Sequence, residues 1–143
     1  MKKKTKNKNW HLGVARFLIF AVIGWNLQVA YVFLLSPQYF ISGFELNGLP
    51  GEAAVRGMAV LFMMWNVPYL VALWNPEKYR ISLLEALAMQ TIGLIGESFI
   101  FSTLGAGHAA LRTSIIRFII FDGSGLLFLI GAFLLTQKKK NVK

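Results

Sequence analysis

Four apolar runs, each long enough to cross a bilayer, constrain this chain more than any single motif. They extend from about Leu12 to Leu35, Ala54 to Trp74, Ser82 to Leu104 and Ala109 to Thr136. A membrane-spanning helix takes about 20 predominantly apolar residues. Within hydrocarbon, only helices or closed barrels satisfy every backbone group. The pattern predicts an all-α fold: an integral membrane four-helix bundle, up-down-up-down, forming one domain over residues 10–136.

Composition narrows the function classes. The chain is 56% hydrophobic and has no cysteine, which excludes disulfides, thiolate metal sites and iron–sulfur ligation by this chain alone. A net charge of +9 would suggest nucleic acid in a soluble protein. Here the basic residues gather in two tails, residues 1–9 and 137–143, so no nucleic acid is expected. The expected contacts are the lipid bilayer and, through the Lys-rich tails, anionic headgroups. A signal peptide competes for the N-terminus, but the first apolar run is too long for a signal core and no small-x-small cleavage site stands out.

Orientation follows from Lys and Arg. Twelve of the 15 basic residues lie on one side: Lys2, Lys3, Lys4, Lys6, Lys8, Arg16, Lys78, Arg80, Lys138, Lys139, Lys140 and Lys143. Arg56, Arg112 and Arg117 fall toward the other. By the positive-inside rule both termini are cytoplasmic, as four spans also require, in the inner (cytoplasmic) membrane.

The connections carry turn and cap signals. Ser36-Pro37 suits the start of a short interfacial helix, with Ser as N-cap and Pro at the first position. Tyr39, Phe40 and Phe44 then lie either on the headgroups or over the mouth of the bundle. Asn47-Gly48 and Pro50-Gly51 read as turns. Glu52 and Arg56 suit an i,i+4 pair at the outer entrance of the second helix. Pro68 inside that helix is expected to kink it. Ser82 with Glu85 matches a capping box.

Polar groups within the apolar runs are the candidate site. Charges in hydrocarbon are costly and normally pair or mark function. At about 1.5 Å per residue, Gln28, Glu97 and Arg117 lie roughly 10–12 Å below the outer surface, with Asn26, Asn66 and Asp122 deeper. Gln90, Gly93, Glu97 and Leu104 share a stripe, and Gly93 and Gly96 would admit a close neighbouring helix. Gly123 and Gly125 do the same beside Asp122. Arg117 and Asp122 stand about 140° apart on their helix, so they cannot aim at one spot. The expectation is that Arg117 meets Glu97, while Asp122 meets Asn26, Asn66 or a partner chain.

Each signal also has a structural reading. Glu97–Arg117 can be an ion pair that ties a hairpin together. Asn26 and Asn66 can be interhelical hydrogen-bond glue. Both follow a Trp, and the pairs Trp25-Asn26 and Trp65-Asn66 fall at similar depth. His11 and His108 sit outside the membrane core, unsuited to haem; no cofactor and no metal site is expected, and no catalytic constellation is recognisable.

The span pattern, together with Ala53-Ala54-Val55-Arg56-Gly57 at the outer start of the second helix, resembles the DoxX-like and BphX-like small four-helix bacterial membrane proteins. Met64-Trp65-Asn66-Val67-Pro68-Tyr69, Gly96-Glu97-Ser98 and Arg117-Phe118-Ile119-Ile120-Phe121-Asp122 also look like signatures, with no activity attached. The resemblance implies a compact bundle and an accessory role, in some members beside thiol or sulfur redox partners. Without Cys, any redox chemistry would belong to the partner.

Three functions compete. The leading expectation is a non-enzymatic accessory or partner subunit in a homodimer or larger membrane complex. The second is a small transporter or ligand-binding bundle, dimeric, using Glu97, Arg117 and Asp122. The third is a membrane enzyme using Glu97 or Asp122 as general base on a lipid-like substrate.

Overall fold

The computed structural model describes residues 3–137, with side chains from residue 10 onward. The side chains of the N-terminal tail and the last six residues, including the Lys residues of both tails counted above, lie outside the described residues. Four helices are present: α1 (Lys3–Leu35), α2 (Gly48–Trp74), α3 (Arg80–Thr103) and α4 (Ala109–Leu135). All four are long and apolar enough to cross a membrane; in α1 the apolar part is Trp10–Leu35.

Two boundaries differ by six residues or more from the sequence expectation, for identifiable reasons. The first helix starts at Lys3 rather than near Leu12, because Lys is a good helix former and nothing breaks the helix before the apolar run. The second starts at Gly48 rather than Ala54. Pro50 does not end it, since a proline in the first turn removes an amide that has no intrahelical partner. Pro50-Gly51 is therefore helix, while Gly48, with φ of 59°, provides the left-handed turn ahead of it.

The helices form a ring in which α1 packs on α2 and α4, and α3 packs on α2 and α4. Contacts run in opposite directions along neighbours. Arg80 reaches Thr136 and Arg112 reaches Leu104 across α3 and α4, and Gly131 meets Leu18 while Phe118 meets Phe33 across α4 and α1.

Two cores stack along the bundle. One is aliphatic, built on Ala15, Ile19, Val22, Leu83, Leu129 and Ala132. The other is aromatic, built on Phe33, Phe62 and Phe121, with Phe40, Phe44 and Phe118 packed against it. The outward faces are apolar too: Phe17, Tyr31, Ile92 and Leu127 are each over 60% exposed. Apolar patches of this extent are rare on monomers surrounded by water.

The α1–α2 connection closes over the aromatic end. It holds two short 3-10 turns, Pro37–Tyr39 and Ile41–Phe44. Pro37 stands at the first position after Ser36 as expected, although the Ser36 side chain makes no cap bond. Phe40 and Phe44 cover the mouth of the bundle, whereas Tyr39 stays exposed.

Helix ends are closed by side chains from elsewhere. Arg16 donates to Leu73 O at the end of α2, Arg80 to Thr136 O after α4, and Arg112 to Leu104 O after α3. Each places a cation on orphan carbonyls at the negative end of a helix dipole. Glu45 does the converse, accepting from Leu111 N in the first turn of α4. The expected Ser82–Glu85 capping box does not form. α3 begins at Arg80 with Tyr79 as its cap, so Ser82 is already inside the helix, too late to cap it.

Candidate functional site

Between the two cores lies a polar chain that starts on α2. Tyr69 donates its hydroxyl to Gln90 Oε1 at 2.6 Å, with Ala86 O a further acceptor at 3.2 Å. That bond fixes the Gln90 amide. Its Nε2 donates to Asp122 Oδ1 at 2.8 Å and to Asp122 O at 3.3 Å. Asp122 in turn meets the carboxyl group of Glu97, back on α3. Tyr69, Gln90 and Asp122 are all buried and Glu97 is half-buried.

Two glycines make this contact sterically feasible. A Cβ on Gly93 would collide with the Asp122 carboxyl, and a Cβ on Gly125 would crowd the Gln90 amide at 2.7 Å. Each helix thus leaves a notch for the polar side chain of the other. The expected close approach holds at Gly93 and Gly125. It fails at Gly96, where a Cβ would meet nothing within 4 Å.

The expected partners are exchanged. Arg117 does not pair with Glu97: it is exposed on the opposite flank of α4, and Glu97 faces Asp122. Arg117 and Asp122 do point to different sides of α4, and the rotation of α4 about its own axis turns Asp122, not Arg117, toward α3. Asp122 meets neither Asn26 nor Asn66 in a hydrogen bond; Gln90 serves it instead. Both Asn residues are buried, yet Asn66 donates to Phe62 O of its own helix, and its Oδ1 has no partner. The two Trp side chains turn outward and pack on rings, Trp25 against Phe121 and Trp65 against Phe62. Gln28 is exposed. Glu52 and Arg56 pair at 3.3 Å as an isolated surface bridge.

Electrostatically, the carboxyl pair is unbalanced. Among the described residues no cation is paired with Glu97 or Asp122, and Glu97 Oε2 is shut from solvent without a donor. Two carboxyl groups can share a hydrogen bond only if one carries a proton, and like charges at contact disfavour double ionisation. The arrangement can therefore hold and exchange a proton. Among the described residues no group of three or more His, Cys, Asp or Glu could hold a metal ion.

Sequence reasoning undervalued two members. Gln90 lies on the Glu97 stripe, yet nothing in the sequence marks it as the partner of Asp122. Tyr69 was hidden in an apolar run, and only its hydroxyl, adjacent to Pro68, hinted at a buried partner.

Outside the four long helices, His108 Nδ1 meets Glu45 Oε2 at 2.6 Å. That hydrogen bond, helped by the amide of Leu111, holds the Glu45 carboxyl below the usual carboxylate range. Glu45 is also left-handed at φ of 56°, an uncommon conformation for a residue with a side chain. The strain is tolerated where its carboxylate ties the connection to α4. No protein-family model, no curated protein and no solved structure matches the chain.

Proposed function

We propose that this is a non-enzymatic, multi-pass protein of the cytoplasmic membrane that binds a proton between Glu97 and Asp122. The four helices cross up-down-up-down, with both termini cytoplasmic, and the carboxyl pair lies near mid-membrane. The observation that carries the reading is the contact of these two carboxyl groups without a paired cation. A proton held there lets α3 and α4 close at Gly93 and Gly125. Its loss leaves two like charges in a poorly solvated layer and drives the helices apart. The protein is thus a proton-responsive bundle, in the ligand-binding class rather than the catalytic one.

The test is infrared spectroscopy of the protein in nanodiscs. A protonated carboxyl band is expected at neutral pH and should vanish in the Glu97→Gln/Asp122→Asn double variant. If wild type shows only ionised carboxylate at neutral pH, the proposal fails.

A partner-subunit reading stands beside it, supported by different residues. Gly24, Gly57 and Gly96 lie inside helices, where glycine costs about 1 kcal/mol relative to Ala, yet none is approached within 4 Å. Such positions suit close contact with a helix of another chain. Cross-linking from these faces in native membranes should capture a second chain. Exclusive recovery of monomer would remove this reading.

A further inference from the structure

A second feature lies on the flank of the bundle, away from the carboxyl pair. Between α1 and α4, beneath the α1–α2 connection, is a groove of about 590 Å³. This is within the range of small-molecule sites. Half of its lining residues are aromatic, including Trp25, Phe33, Phe44 and Phe118. Phe33 and Phe44 meet edge-to-face at 5.9 Å, and Phe44 stacks on Phe118 at 5.9 Å, so the rings brace one another. Ser114 donates to Gly43 O at 2.6 Å, and Glu45 bonds His108, which together pin the roof to α4.

Arg117 is the only charged side chain in this lining. Among the described residues it has no ion pair and no hydrogen bond, unlike Arg16, Arg80 and Arg112, each of which closes a helix end. It also lies eight residues into α4, roughly 12 Å along the helix axis. An unmatched guanidinium at such a depth calls for an anion.

We propose that the groove binds a single-chain amphiphile with an anionic head, the head on Arg117 and the chain along the aromatic wall toward Trp25. Charge complementarity selects the head, since carboxylate and phosphate both accept a guanidinium fork. The volume selects one chain rather than the two of a bilayer phospholipid. The inference rests on the membrane-spanning reading but not on the proton at Glu97 and Asp122.

The test uses full-length protein in nanodiscs of zwitterionic lipid, titrated with cis-parinaric acid. Co-elution with the discs is checked first, so failure of the membrane reading is seen separately. Saturable binding with energy transfer from Trp is expected, and Trp25→Phe should lower the transfer measured at saturation. Arg117→Gln should weaken binding at least about tenfold, with Arg117→Lys partly retained. Val29→Trp should block the chain while keeping the charge. Competition by a lysophosphatidic acid would assign phosphate as well as carboxylate heads to the site. Failure of that competitor would assign carboxylates alone. Binding that is absent, insensitive to both Arg117→Gln and Val29→Trp, or equally displaced by phosphatidylglycerol would overturn the proposal.

Discussion

The two halves of the bundle bury apolar surface in different ways. The half around Ile19, Leu83, Leu129 and Ala132 uses aliphatic and small side chains, and these four are fully buried. The half around Phe33, Phe62 and Phe118 uses rings in tilted and edge-to-face contacts. Flexible branched side chains interdigitate and fill space, whereas flat rings meeting at angles leave gaps. The groove opens on the aromatic side. The lesson is that the dense half holds the helices together, which leaves the ring-lined half free to keep a cavity.

The largest effect should come from breaking the dense half. Leu129→Ala should cost about 2–5 kcal/mol in a reversible unfolding titration, as for a sealed core site. Phe44→Ala removes more atoms but widens a groove that is already open, so it should cost less than Leu129→Ala. Equal losses would erase the distinction between the halves.

The boundary between them comes next. Gly93→Ala gains helix propensity worth about 1 kcal/mol but drives a methyl into the Asp122 carboxyl. Overpacking of this kind costs about 1–3 kcal/mol, so the net effect should be destabilising. Gly96→Ala, with open space around it, should be neutral or stabilising by up to about 1 kcal/mol in the same titration. Matching signs for the two variants would show that the notch at Gly93 does not matter.

A smaller loss is expected at the aliphatic end. Arg80 donates to Thr136 O at 3.2 Å and lies over the Phe133 ring at 4.2 Å. Arg80→Gln should cost about 1 kcal/mol by thermal unfolding. Retention of full stability would mean that the end of α4 is satisfied without the cation.

The smallest effect concerns the roof of the groove and depends on pH. Glu45 has a folded-state value below the ordinary 4.5. A depressed carboxylate stabilises above its unfolded value and loses that contribution as pH falls through the folded one. Wild type should therefore melt slightly higher than Glu45→Gln above about pH 4.5, and the two should converge on acidification. A gap that grows toward acid would contradict the assignment.

Much of the architecture was legible in the residues, and the reason is length. Four apolar runs had room for four helices, and four such helices formed. The site was only partly legible. Glu97, Asp122, Asn26 and Asn66 stand out in the sequence as polar groups in apolar runs, and in the fold Asp122, Asn26 and Asn66 are buried. Their partners were not legible. A helix that is apolar on most of its circumference carries no stripe to say which face turns inward.

The sequence by itself determined the number of helices, the Glu52–Arg56 pair at i,i+4 and the separation of Arg117 from Asp122 around one helix. These follow from local geometry, which repeats every 3.6 residues whatever the neighbours do. Only the tertiary structure decided that Asp122 meets Glu97 and Gln90, and that Arg117 faces a groove. Those outcomes depend on the rotation and depth of each helix against the next. Notches such as Gly93 and Gly125 set that register, and a notch becomes visible only once the side chain that fills it is in place.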